Sequence, residues 1–163
     1  MDTFAEQLVV KPMTPQDKLK KTGLILVTVV LCLGLTYLSL TFMPLILLVV
    51  CAVAYGAYFL ITGMNVEYEY SVTNGELDVD KIIAKRKRKH MLTVKISDFE
   101  TFGLESEAKF DNTVTTFLVG DGDEEHYYAA DFQHESLGRV RLVFSPNERV
   151  LEAIRSSLKR GLR

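Results

Sequence analysis

Lys85-Arg86-Lys87-Arg88-Lys89-His90 is the one stretch of this chain where residue type and spacing together point to a chemistry. Consecutive cations attract anions. Near an anionic lipid surface each Lys or Arg contributes about 1 kcal/mol, falling off within a Debye length of about 8–10 Å. A nucleic-acid backbone is another polyanion such a run could meet, but no Phe, Tyr or Trp interleaves with it to stack on bases. Nucleic acid is therefore not an expected partner.

Other chemistries lack their residues. His90, His126 and His134 have no metal-ligand spacing, and Asp121-Gly122-Asp123-Glu124-Glu125 reads as an acidic turn. A calcium loop of the EF-hand type needs ligands spread over twelve residues and ending in Glu. No Ser, Cys or His stands beside a base in a recognisable motif, and no glycine-rich phosphate loop is present. The expectation is a non-enzyme with no cofactor, no metal site and no catalytic residue. Cys32 and Cys51 lie in an apolar stretch without a C-x-x-C or Cys/His cluster, where thiols act as small hydrophobes.

The elements that must position the basic run begin with that apolar stretch. All 19 Lys+Arg and all 21 Asp+Glu fall in residues 1–21 or 67–163, leaving Thr22 to Val66 without a charge. A segment that is apolar all round suits lipid rather than a soluble core. A spanning helix needs about 20 apolar residues, so the window predicts two helices, at about 22–40 and 45–62, turned at Thr41-Phe42-Met43-Pro44. Proline suits a helix's first turn and not its interior. A cleaved signal peptide ending near Ala52-Val53-Ala54 would need a core of only about 7–15 residues, far shorter than this run. Ala52 and Gly56 are a small-xxx-small pair that would let the helices approach. Lys11, Lys18, Lys20 and Lys21 precede the hairpin, Lys81 and Lys85 to Lys89 follow it, and its turn carries no basic residue. The positive-inside rule then predicts a multi-pass protein of the cell membrane with both termini cytoplasmic.

Residues 1–21 form an N-terminal segment in which Phe4, Leu8 and Val9 share a helical stripe, which predicts a short interfacial helix or a frayed end. After the hairpin (22–63) the period becomes two. Val66, Tyr68, Tyr70 and Val72 alternate with polar residues, and Asn74-Gly75 marks a hairpin turn into a return strand, 76–84. Further strands are expected at 91–97, 99–104, 115–120, 126–132 and 138–144. The pair 115–120 and 126–132 reads as a hairpin, and 105–113 as a polar loop. Ser145-Pro146-Asn147-Glu148 supplies cap signals for a helix to about Arg160 whose stripe is Val150, Leu151, Ile154 and Leu158. At about 3.3 Å per residue the first strand reaches roughly 25 Å out and the second returns, which brings residues 85–89 back toward the headgroups.

Four strands, then three, then one helix resembles the pleckstrin-homology-like fold. The stretch Tyr68-Glu69-Tyr70-Ser71-Val72-Thr73-Asn74-Gly75-Glu76-Leu77 through Lys89, with Ser145-Pro146-Asn147-Glu148, resembles a family of small Gram-positive bacterial membrane proteins that brings no assigned activity. The resemblance implies an α+β membrane protein. A two-helix transmembrane hairpin would be followed, over 66–163, by a seven-stranded antiparallel pleckstrin-homology-like barrel or sandwich capped by a C-terminal helix. Phosphoinositide-binding members of that fold use basic residues around the loop between their first two strands. Here that loop would be Asn74-Gly75 flanked by Thr73 and Glu76, a departure from the pattern.

The function expected is a membrane-anchored scaffold for an unidentified protein partner, with the acidic region Asp98 to Glu135 facing that partner. The alternative is a sensor of anionic lipid headgroups in the bilayer. In either case Lys85, Arg86, Lys87, Arg88 and Lys89 are the expected membrane-surface contact.

Overall fold

The computed structural model describes residues 3–108 and 114–162. The chain divides into two compact units, residues 13–65 and residues 1–12 with 66–163.

The first unit is a helical hairpin, α1 (Pro15–Thr41) and α2 (Ile46–Gly63). α1 starts seven residues earlier than its apolar run because Thr14 caps it, its hydroxyl accepting from the Asp17 N–H at 3.2 Å, with Pro15 in the first turn. Lys18, Lys20 and Lys21 therefore lie on the helix instead of before it. Both helices are long and apolar enough to cross a membrane. The hydroxyls of Thr28, Thr36, Thr41 and Thr62 donate to carbonyls one turn back, which satisfies these hydroxyls within their own helices. The residues buried in the hairpin are Ser39 and Ala57, whereas Ala52 and Gly56, expected at the helix contact, are exposed.

Among the described residues the second unit has eight strands in two sheets, not the seven expected. Residues 4–10 form a strand, β1 (Phe4–Val10), where an interfacial helix or a frayed end was the expectation. The sheet explains why. β1 pairs antiparallel with β2 (Val66–Thr73) from Phe4↔Thr73 to Val10↔Glu67, burying Ala5 and Val9 against the core. β3 (Glu76–Ile83) and β4 (Lys87–Lys95) complete a sheet in the order β1-β2-β3-β4. Asn74 and Gly75 adopt the positive φ that the β2–β3 turn requires. The helical hairpin is thus the connection between the first two strands of the domain, a place expected of Asn74-Gly75.

The second sheet has the order β5-β7-β8-β6, with β5 (Phe99–Leu104), β6 (Thr115–Val119), β7 (Tyr128–His134) and β8 (Gly138–Phe144). β6 does not form a hairpin with β7. It lies beyond β8 and runs parallel to it, so the set is not wholly antiparallel. Of the expected polar loop 105–113, residues 105–107 form a short 3₁₀ turn and 109–113 lie outside the described residues.

Tyr70, Phe99, Phe132, Phe144, Leu77 and Leu142 fill the space between the sheets. The Tyr70 hydroxyl donates to the Val119 carbonyl, tying the two sheets together, and burial pushes its pKa well up. α3 (Glu148–Ser157) covers the core with Val150, Ala153 and Ile154. Its cap is Asn147, whose side chain accepts from the Val150 N–H at 2.9 Å, two residues later than the Ser145 cap expected.

Because β1 closes over β2, a chain beginning at Val66 is expected to lose the cooperative thermal transition of the domain. Residues 3–11 joined to 66–162 through a short Gly-rich loop should regain it. Circular-dichroism melts of the two proteins check this, and a cooperative melt of the shorter one at an equal temperature would remove the assigned role of β1.

Candidate functional site

The basic run is mostly strand rather than turn. Only Ala84, Lys85 and Arg86 form the bend, with Ala84 and Lys85 at φ of 57° and 56°. Lys87, Arg88, Lys89 and His90 are the first residues of β4, four positions earlier than that strand was expected. Alternation then sends them to opposite faces of the sheet. A register shift between Val79 and Asp80 places one extra β4 residue, Met91, between the basic segment and Leu92, which is buried in the core.

On the face away from the core the cations are used internally. Arg88 reaches across β3 to Glu69 on β2 at 2.5 Å and approaches Asp80 at 3.6 Å. His90 Nδ1 meets Asp80 at 2.8 Å, and Lys85 approaches Glu67 at 3.7 Å. Glu67 and Glu69 are only 7% and 8% exposed, so these partners neutralise carboxylates largely removed from water. Of the five residues expected at the membrane surface, Lys85 and Arg88 thus serve the sheet's own acids. Arg86 lies in the bend.

Lys87 and Lys89 fall on the core-side face, beyond the end of the core. There Lys89 stands opposite Lys81 of β3, while Lys87 stands opposite Ile83. Among the described residues Lys81, Lys87 and Lys89 form no ion pair with an acid. This end of the sheet is also where the chain passes to and from the hairpin. Val66 opens β2 opposite Ile83, and the Lys11 N–H donates to the Val66 carbonyl at 3.0 Å. The sequence contained no sign of Lys81 as a partner, because its register with Lys89 depends on the bulge.

A second polar arrangement lies on the outer face of the β5-β7-β8-β6 sheet, in a cleft of about 660 Å³ whose lining includes Thr101, Gly103, Asp131 and Arg141. Arg141 holds Asp131 with a two-pronged contact at 2.6 and 2.7 Å. That interaction keeps the Asp131 carboxyl below the usual carboxylate range, outweighing burial, which acts the other way; Thr101 also bonds to it. With Asp131 only 3% exposed, the pair stabilises the sheet and fixes β7 against β8. Neither sequence motif nor spacing marked it.

The remaining candidates do not assemble. His126 pairs with Asp123 at 2.9 Å in the acidic turn, His134 accepts from the Ser136 N–H at the end of β7, and His90 is on the other sheet. Among the described residues no cluster of three or more His, Cys, Asp or Glu is placed to hold a metal ion.

A family model described as "Bacterial PH-like domain (DUF6106)" matches residues 1–163, hairpin included, and the chain belongs to that family. No curated protein and no solved structure matches it.

The division of the cations predicts unequal effects. Arg88→Gln leaves Glu69 without its partner and should cost about 1–3 kcal/mol, whereas Lys87→Gln and Lys89→Gln should stay within about 0.5 kcal/mol of the parent. Chemical denaturation of the three variants decides it. Asp131 adds a pH dependence. Its pKa is depressed in the folded state, so its stabilisation is complete above the unfolded value of about 3.9 and fades as pH falls through the lower folded value. Arg141→Met should cost about 3–5 kcal/mol near neutrality by leaving a buried carboxylate unpaired. The difference from the parent should shrink in acid melts; a constant difference would contradict it.

Proposed function

We propose that this member of the bacterial PH-like family is a non-enzymatic interaction module, held by its hairpin at the cytoplasmic face of a membrane, where it scaffolds protein partners. The observation that carries the proposal is the insertion of the hairpin between the adjacent strands β1 and β2. Residues 11–14 lead into α1 and residues 64–65 lead out of α2, so two short connectors leave one end of one sheet. A domain attached by a single flexible linker samples many orientations, whereas two short connectors restrict which of its ends faces the bilayer. The basic residues flanking the helices, and their absence from the turn, support an inside location for both termini. PH-like domains are generally non-catalytic, which supports the binding role.

The acidic stretch from Asp98 to Glu135 contributes much of the second sheet and its loops, including Asp121, Asp123, Glu124 and Glu125. Its charge suits a basic protein partner and disfavours an anionic leaflet. The second reading, a sensor of anionic lipid, is favoured by one observation: the basic segment lies at the end from which both connectors leave.

Cysteine accessibility tests the location in a Cys32→Ala/Cys51→Ala background. A membrane-impermeant maleimide should label Met43→Cys in intact cells and label Ser136→Cys only after lysis. Labelling of Ser136→Cys from outside overturns the cytoplasmic placement. Crosslinking and pull-down from native membranes should then recover a protein that is still captured when Lys85 to Lys89 are changed to Gln. Loss of that capture would favour the lipid-sensing reading over the scaffold.

A further inference from the structure

Pleating divides the basic segment, and the half left unused by the sheet's own acids is a ladder of like charge. Lys81 and Lys89 are directly opposite on β3 and β4, and Lys87 projects from the same face two residues before Lys89. Like charges facing each other across a ladder destabilise it. The acids of these three strands cannot relieve them. Glu67, Glu69 and Asp80 project from the opposite face, where they meet Lys85, Arg88 and His90.

The neighbours of the lysines on their own face are of a particular kind. Tyr68 is opposite Lys81, and Val66 and Ile83 stand in the row of Lys87. Tyr68 is buried in the core, whereas Val66 and Ile83 are half-buried. Half-buried apolar side chains beside lysines, at the end where the chain enters a transmembrane hairpin, match a water–lipid interface, where long cationic side chains extend toward phosphate. We infer that Lys81, Lys87 and Lys89 form an anion-binding ladder whose ligand is the phosphate of anionic phospholipid headgroups. Lys85 and Arg88 are not part of it. The inference rests on the membrane-tethered reading above and adds the residues, the sheet face and the ligand class. A phosphate between the strands relieves the Lys81–Lys89 repulsion, so occupancy and strand pairing reinforce each other.

The test uses the full chain in nanodiscs of phosphatidylcholine alone or with phosphatidylglycerol, read by pulsed lysine acetylation and mass spectrometry. Flotation with neutral discs scores the tether by itself, so failure of the tether is distinct from failure of the ladder. Anionic discs should slow acetylation of Lys81, Lys87 and Lys89 by about fivefold each, an effect reversed by high salt, while Lys95 and Lys159 keep their rates. Equal rates in the two discs overturn the inference. Equal protection by inorganic phosphate in neutral discs overturns the lipid assignment and marks a soluble phosphate as the ligand. Lys81→Gln/Lys89→Gln gives an independent measure. Removing the facing charges should raise the melting temperature in neutral discs at low salt; a fall would mean that these lysines serve the fold and not a ligand.

Discussion

Pairing of β1 with β2 is the interaction on which the remainder of the molecule depends. It closes a loop that runs from Lys11 to Asn65 and contains both membrane-length helices. Closing a flexible loop of that length costs roughly 3–4 kcal/mol from the logarithmic term alone, but the loop is not flexible, because α1 and α2 return on themselves. The hairpin lowers the entropy lost when β1 docks. In turn β1 supplies Ala5 and Val9 to the core beside Tyr68, Tyr70 and Val72. Gln7 extends the effect by donating to the Ser145 carbonyl at 3.0 Å and accepting from the Asn147 N–H at 2.6 Å. A seven-residue strand thus joins the first sheet to the start of the capping helix. The domain is not completed by residues after the hairpin alone, because β1 precedes both helices and pairs with β2, which follows them.

A consequence of that closure is that charge at the connector end of the sheet is sorted by geometry. The two faces of a strand are one residue apart, so five consecutive cations cannot act as a single patch once they enter a sheet. Glu67 and Glu69, nearly removed from water on β2, require cations on their own face; Lys85 approaches Glu67, and Arg88 is long enough to span β3 and reach Glu69. The lysines of the other face have no such claim on them. Composition alone would have assigned every cation in the run the same role.

Local signals were legible in the sequence, and long-range ones were not. Asn74-Gly75 and the alternation around Tyr68 and Tyr70 identify β2 and β3 because a two-residue turn and its flanking strands are a nearest-neighbour problem. The capping helix was legible from the stripe Val150, Ile154 and Leu158, although Asn147 takes the cap in place of Ser145. β1 was missed because Phe4, Leu8 and Val9 fit a helical stripe, and because its outer face carries Phe4, Leu8 and Val10, more than half exposed, which erases the alternation of a half-buried strand. What makes those residues a strand is β2, 57 residues away at the closest pair, Val10↔Glu67. β6 shows the same limit, since its parallel partner β8 lies beyond the intervening β7. The Lys81–Lys89 pairing and the Asp131–Arg141 contact depend on register between strands, which no spacing rule within one segment reports.

The bend between β3 and β4 sets that register. Ala84 and Lys85 both take left-handed backbone angles, with φ of 57° and 56°, where a residue with a Cβ is less favourable than glycine by roughly 1–2 kcal/mol. Asn-Gly, which the chain uses at the β2–β3 turn, would adopt such angles with less strain. The strained bend nevertheless holds the Arg86 N–H to the Ile83 carbonyl at 3.1 Å and pairs Ile83 with Lys87. Moving that pairing by one residue would turn Arg88 away from Glu69 and bring Lys87 and Lys89 to the acidic face. The Glu69–Arg88 contact and the Lys85–Glu67 approach both act against such a slip, one from β4 and one from the bend itself. The internal ion pairs therefore do more than neutralise buried carboxylates. By fixing which residues of β4 face the acids, they also fix which lysines stand on the opposite face.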